Sequence, residues 1–225
     1  ASGSILNGAS EGIVSVYGKA VILTAAKGHA GISNKAIVVD SDVITVDAAI
    51  DISIYGIGSI GLIKVISHNG NVYLTAEMNI ASVADKDEPV IKANSIVIRA
   101  AKGSIGTTDK FLVIDAFDTG YVNAYAGNNL YLYELKGDLR VDKTTAGNNM
   151  VLTTEGNIVN VSANGTNAKA RILILSAGKG VGDKDKLFIV EAKELTVTST
   201  GAIYIGSPED LVLASVNSSG GNLHL

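Results

Sequence analysis

An internal repeat, present at two lengths, constrains the fold of this chain more than any other feature. The segment Ala25-Ala26-Lys27-Gly28 recurs as Ala100-Ala101-Lys102-Gly103 and as Ala177-Gly178-Lys179-Gly180, so that superrepeats start near residues 25, 100 and 177. A shorter period of 20 residues lies inside the longer one and relates Ile52-Ser53-Ile54 to Val72-Tyr73-Leu74. A short unit repeated many times is typical of solenoids, in which each coil stacks on its neighbours.

The same offset of 20 residues relates two more pairs of apolar segments. They are Leu130-Tyr131-Leu132 with Met150-Val151-Leu152, and Ile203-Tyr204-Ile205 with Leu223-His224-Leu225. The units are short, alternate between apolar and polar residues and favour Val, Ile, Thr and Tyr, which is strand chemistry. Glycine and asparagine interrupt the chain too often for a substantial helix.

These patterns predict an all-β fold, namely a right-handed parallel β-helix (β-solenoid) with about 20 residues per coil. The handedness follows from the rule for parallel crossovers. We expect residues 1–225 to form a single β-helix domain. At about 20 residues per coil and about 4.8 Å per coil, the chain would make about 11 coils and a rod about 50 Å long.

Gly-Asn pairs precede several of the predicted strands and indicate the corners of the coils. They are Gly70-Asn71, Gly127-Asn128, Gly147-Asn148, Gly156-Asn157 and Gly221-Asn222. Both residue types tolerate a positive φ, which we expect the corners to need. Stacking would also place asparagines of successive coils in register, where their amides could form ladders.

Composition excludes several classes of function. The chain has 18 basic and 22 acidic residues, a net charge of −4, so it lacks the basic surface that nucleic acid or an anionic membrane would require. It has no cysteine, which removes disulfides, thiolate metal sites and thiol catalysis. Its apolar runs are far shorter than the roughly 20 residues that span a bilayer. We therefore expect no nucleic-acid partner and no membrane insertion.

No motif in the chain predicts a catalytic, cofactor or metal site. Gly56-Ile57-Gly58-Ser59-Ile60-Gly61 matches the dinucleotide-binding pattern, but a predicted strand follows it where a helix is required. We interpret it as a β-helix corner. The acidic groups Asp85, Asp87 and Glu88, and Asp183 with Asp185, do not match a calcium-loop spacing, so we interpret them as solvated turns.

Three Asn-x-Ser/Thr sequons, at Asn160, Asn164 and Asn217, are weak candidates for glycosylation. Polysaccharide-binding or polysaccharide-degrading β-helices are the main functional alternative. Such enzymes need a pair of carboxylates, which different coils could bring together without a recognisable motif.

The segment Ala100-Ala101-Lys102-Gly103-Ser104-Ile105-Gly106, the Ala-Gly-Asn-Asn units and the terminal Gly-Gly-Asn-Leu-His-Leu resemble the repetitive shaft of filamentous-haemagglutinin-type bacterial exoproteins. The resemblance covers essentially the whole chain and implies a right-handed β-helix, two-partner secretion and display on a bacterial surface as an adhesin or filament. The Asn-Pro motifs of that family's secretion domain do not occur here, which points to shaft rather than secretion module. The family's glycosylated members strengthen the three sequons slightly.

We therefore expect a non-enzymatic structural β-solenoid, secreted to the bacterial cell surface as part of an adhesin or filament. Neither end of the sequence has an obvious cap, and open solenoid ends expose unpaired strands. The chain would either continue into a longer one or associate head to tail with copies of itself. A glycan or protein of a host or cell surface is the expected partner, and no cofactor is expected.

Overall fold

The computed structural model describes residues 1–10, 12–84 and 88–225. These residues form 21 β-strands and no helix, which confirms the predicted all-β class. In chain order the strands are β1 (Val16–Tyr17), β2 (Ala20–Ala25), β3 (Ile37–Asp40), β4 (Val43–Ala48), β5 (Ile52–Gly56), β6 (Ile60–Ser67), β7 (Val72–Ala76), β8 (Ile80–Ser82), β9 (Ile91–Ala93), β10 (Ile96–Ala100), β11 (Leu112–Ala116), β12 (Val122–Ala126), β13 (Leu130–Glu134), β14 (Leu139–Ala146), β15 (Asn149–Thr154), β16 (Ile158–Asn160), β17 (Ala168–Ala177), β18 (Phe188–Ser199), β19 (Ile203–Gly206), β20 (Val212–Ser218) and β21 (Leu223–His224).

All of these strands pair in parallel and belong to two stacks that alternate along the chain. The first stack runs through β1, β3, β5, β7, β10, β12 and β14, continues into β16 and the first residues of β17 and β18, and ends with β19 and β21. The second runs through β2, β4, β6, β8 with β9, β11, β13 and β15, then the last residues of β17 and β18, and ends at β20. One strand of each stack makes one coil, and about 10 coils form the solenoid.

The offset of 20 residues read from the sequence is the true register of three coils. Ile52 pairs with Val72, Leu130 with Met150, and Ile203 with Leu223. Other coils are longer; Val72 pairs with Ile96, and Ile96 with Val122. Loops inserted within these coils add the extra residues, so the chain makes about 10 coils rather than 11.

Aliphatic ladders along the inner side of the two stacks form one continuous core. The clearest ladder lies in the second stack, where each side chain lies directly on the equivalent side chain of the next coil. This ladder consists of Ile60, Ile80, Ile105, Leu130, Met150, Leu173 and Leu195, all fully or almost fully buried. Alternation in each strand turns every second side chain inward, so stacking identical patterns buries them against each other.

Each superrepeat contains one position that only glycine can occupy. Gly31, Gly106 and Gly182 have φ values of +75°, +67° and +67°. A Cβ atom on any of them would lie no more than 2.5 Å from the carbonyl oxygen of a residue in the next coil. Left-handed backbone and close approach together explain why this position recurs.

A short loop follows each of these glycines, and two backbone hydrogen bonds join its first and last residues. The loops span residues 32–35, 107–110 and 183–186, and each ends in a lysine. The first precedes β3 in the first stack and the second precedes β11 in the second stack. Because the long period equals about three and a half coils, successive superrepeats project their loops from opposite stacks. The third loop precedes β18 and returns to the first stack.

Candidate functional site

Two grooves lie beside the first two loops. The first groove has a volume of about 880 Å³ and the second about 550 Å³. The first is lined mainly by Asn7, Ser33, Asn34, Lys35, Val38, Tyr55, Tyr73, Thr75 and Glu77. The second is lined by Thr108, Asp109, Phe111, Val113, Tyr133, Leu135, Thr153 and Glu155.

Strand register shows that the two grooves are built from equivalent positions. In the first groove Val38 pairs with Tyr55, and Tyr55 pairs with Thr75. In the second, Val113 pairs with Tyr133, and Tyr133 pairs with Thr153. A glutamate follows two residues after each threonine. The grooves therefore lie about three and a half coils apart, on opposite stacks.

The tyrosine and the glutamate of each groove are bonded to each other. The Tyr55 hydroxyl donates to Glu77 Oε1 at 3.2 Å, and the Tyr133 hydroxyl donates to Glu155 Oε1 at 3.4 Å. Partial burial, together with the neighbouring glutamate, raises the pKa of both tyrosines. Each groove thus presents a neutral phenol whose hydroxyl is held in place and a carboxylate beside it.

The third superrepeat has the loop but not the tyrosine. There Ile189 pairs with Gly206, which occupies the position of Tyr55 and Tyr133. A Cβ atom on Gly206 would lie 2.9 Å from Ile189 Cδ1. The solenoid therefore forms at this position without an aromatic side chain.

The corners at the Gly-Asn pairs differ from the prediction in their backbone. None of Gly70, Gly127, Gly147, Gly156 and Gly221 has a positive φ, so that expectation was wrong. These positions are crowded instead: a Cβ atom on Gly127 would lie 2.6 Å from the Ala101 carbonyl oxygen in the preceding coil. Glycine is needed there because adjacent coils approach closely, whatever the φ value.

Polar ladders do form at the corners, but most of their bonds join a side chain to the backbone of the next coil. The expected amide-to-amide bond occurs where Asn148 Nδ2 donates to Asn128 Oδ1 at 2.5 Å. Elsewhere a side-chain oxygen accepts a backbone N–H, as when Asn129 Oδ1 accepts from Asn149 at 3.2 Å. Serine and aspartate side chains also accept backbone N–H groups of the next coil, so the ladders are more varied than the sequence pattern predicts.

The three sequon asparagines lie in different environments. The Asn160 side chain is largely engaged, because its Nδ2 donates to the Leu187 carbonyl at 2.7 Å and its Oδ1 accepts from Ser162 and Asn167. Asn164 is exposed in the loop after β16, and Asn217 is exposed in β20. Glycosylation stays a prediction, and Asn164 and Asn217 are the accessible members of the set.

The remaining sequence motifs fall at turns. Gly56 ends β5 and Gly61 lies in β6, so the Gly-x-Gly-x-x-Gly segment joins two strands, as the β-helix corner interpretation requires. Within residues 1–10, 12–84 and 88–225, no three acidic or histidine side chains come together as metal ligands. Asp85 and Asp87 lie outside the described residues.

Two buried carboxyls were missed in the sequence: Asp115, which pairs with Lys92 at 3.0 Å, and Glu134. Glu134 points inward from β13, is completely buried, and lies in register between Ile114 and Thr154. Its carboxyl oxygens accept from the Ala116 N–H at 3.2 and 3.3 Å and from the Lys136 N–H at 3.4 Å. Burial raises its pKa to about 8 against these bonds. The alternation Leu130, Leu132, Glu134 was the available signal.

The end of the solenoid at β20 and β21 leaves its core ladder uncovered. Leu195 is completely buried, whereas Leu213, its partner in the last coil, is 46% exposed. Likewise Ile203 is completely buried and its partner Leu223 is 49% exposed. Strand β20 pairs only with β18 among the described strands, so its outer backbone edge is free.

Comparisons with protein-family models, curated proteins and solved structures gave no significant match for this chain. Among the residues that the structure describes, no helical segment has the length and apolar character that a membrane crossing needs.

Proposed function

We propose that this chain is a non-enzymatic structural rod, part of an adhesin or filament on a bacterial surface, whose last coil is covered by a further solenoid coil, either of a longer chain or of a second copy. The observation that carries the proposal is the uncovered ladder at the last coil, where Leu213 and Leu223 repeat inward positions that are fully buried one coil earlier. A parallel β-solenoid coil is the surface that fits such an end, because it offers both an apolar layer and an unpaired strand edge.

A second copy would supply this coil with its own first coil. At that end β2 pairs with β4, and Ala1 bonds to Thr24 and Ala26 on the other edge, which leaves residues 20–23 of that edge for β20. Apolar side chains are exposed at both ends, with Leu6 and Ile13 in the first coil and Val212 in the last. Burying apolar surface at about 25 cal/mol per Å² favours contact between these ends.

The surface location rests on the family resemblance of the repeated segments. A rod suits that setting because every coil is bonded to its neighbours by parallel pairing, which gives length and stiffness from a single short unit. Immunogold labelling of intact source cells tests the location: label on the outer surface is expected, and label confined to the cell interior would exclude it.

Sedimentation velocity over a wide concentration range tests the stacking. The expected result is a series of species that grows with concentration for the unaltered chain and is lost in Leu213→Lys, because a charge would have to be buried between coils. Ser215→Lys is the matched control, since Ser215 lies in the same strand and pairs with the outward Thr196. A single monomeric species at every concentration would refute end-to-end stacking of copies, as would equal assembly of the two variants.

A further inference from the structure

The two grooves beside the superrepeat loops carry an inference that does not depend on assembly. They are the same arrangement built twice: a loop that lines the groove, a tyrosine in the next coil, and a threonine and glutamate in the coil after that. The fold alone does not require this arrangement, because the third superrepeat places Gly206 where the tyrosine would be and its strands still pair. Coil formation alone therefore does not explain these side chains.

We propose that the two grooves are equivalent binding sites for a neutral saccharide. Each groove offers an aromatic ring for the apolar face of a sugar and hydrogen-bonding groups for its hydroxyls. Ligand sites of this kind combine apolar and aromatic walls with a few fixed polar groups. The polar groups are Glu77 and Thr75 in the first groove and Glu155 and Thr153 in the second.

The hydrogen bond between tyrosine and glutamate prepares each site. Tyr55 donates to Glu77 at 3.2 Å and Tyr133 donates to Glu155 at 3.4 Å, so the two groups hold each other in position across adjacent coils. A side chain that is already held loses less conformational freedom when a ligand binds. The carboxylate retains acceptor sites for sugar hydroxyls, because an ionised carboxylate accepts several hydrogen bonds.

Charge indicates that the saccharide is neutral. Asp109 and Glu155 both line the second groove, and none of its described lining residues is lysine or arginine. An anionic sugar would be repelled there. The first groove contains Lys35 and Glu77, whose charges are opposite. An uncharged ligand is the class that both grooves accommodate.

The first groove favours binding rather than hydrolysis. Glycosidases position two carboxyl groups about 5 to 9.5 Å apart across the scissile bond. Glu77 is the one carboxylate among the described residues that line the first groove. The grooves lie on opposite stacks, separated by about 17 Å along the axis at about 4.8 Å per coil. One rod would therefore hold two saccharide chains on opposite faces and cross-link them.

Affinity electrophoresis in native gels is the test. The gels contain dextran, galactomannan, xyloglucan or hydroxyethyl cellulose as neutral polymers, with heparin as the anionic comparison. At least one neutral polymer should retard the unaltered chain, heparin should not, and the double variant Tyr55→Ala with Tyr133→Ala should migrate as it does without polymer. Tyr121→Ala is the matched control, because Tyr121 is 38% exposed and lines neither groove.

Calorimetric titration with a hexasaccharide of the retarding polymer then counts the sites. Two equivalent sites are expected in the unaltered chain and one in each single tyrosine variant. Thermal unfolding of every variant shows that loss of binding is not loss of folding. Retardation by none of the neutral polymers, retardation by heparin alone, or full binding by a folded double variant would overturn the proposal. These results are independent of whether the rods stack.

Discussion

Replacing Glu134 by glutamine should remove most of the pH dependence of this protein's stability between pH 5 and pH 9. In the folded chain, burial raises the pKa of Glu134 to about 8 from an ordinary value of 4.5. Between these values the folded carboxyl holds a proton that the unfolded carboxyl releases. The free energy of unfolding therefore decreases as the pH rises through this range.

The raised pKa sets the order of magnitude of the effect. The difference between 8 and 4.5 is 3.5 pK units, and each unit corresponds to about 1.4 kcal/mol, which gives about 5 kcal/mol lost between pH 4 and pH 9. Glutamine has nearly the same shape and cannot ionise. Its amide oxygen can still accept from the Ala116 and Lys136 N–H groups that now bond to the carboxyl.

Urea denaturation at a series of pH values measures this difference. The other titrating groups are common to both proteins, so the difference in unfolding free energy between the unaltered chain and Glu134→Gln isolates Glu134. The variant should gain stability relative to the unaltered chain as the pH rises toward 9. A difference that stays constant with pH, or that shifts in favour of the unaltered chain as the pH rises, would refute the reasoning.

Three further changes test the solenoid itself. Gly106→Ala should lower the unfolding free energy by about 1 to 3 kcal/mol in urea melts, and Gly165→Ala should lower it by less. Both glycines have a positive φ, but only Gly106 lies close to a neighbouring coil, so equal losses would exclude the close-approach explanation. Leu130→Ala in the buried ladder should cost about 2 to 5 kcal/mol by calorimetry, against far less for Leu213→Ala at the uncovered end; a costlier Leu213→Ala would contradict the open end. Asn129→Ala should cost about 1 kcal/mol and speed exchange of the Asn149 amide hydrogen, whose acceptor it removes; unchanged exchange would show that this bond is not formed.

Much of the fold could be predicted because, in a solenoid, the spacing of the sequence repeat equals the strand register. The offset between Ile52 and Val72 is the pairing itself, since stacked coils place equivalent residues directly on one another. The superrepeat was also visible in the sequence, but the stack in which each of its copies lies was not. A period of about 75 residues equals three and a half coils, so copies alternate between stacks, and only the lengths of the inserted loops decide this.

The grooves illustrate the same limit. Tyr55 and Glu77 are separated by 22 residues, as are Tyr133 and Glu155. That spacing becomes a contact only when the length of the intervening coil is known, because the tyrosine must lie beside the coil that carries the glutamate. The close approach of adjacent coils at the Gly-Asn corners could not be predicted from the sequence for a related reason. A left-handed backbone and a crowded neighbour both select glycine, and the sequence alone does not distinguish them.

Negative-stain electron microscopy of the purified chain at several concentrations tests the proposed rod most directly. The expected images are fibres of uniform width that lengthen with concentration, and shorter particles for Leu213→Lys. Isolated rods about 50 Å long, the length of about 10 coils at about 4.8 Å each, unchanged at every concentration, would contradict end-to-end assembly.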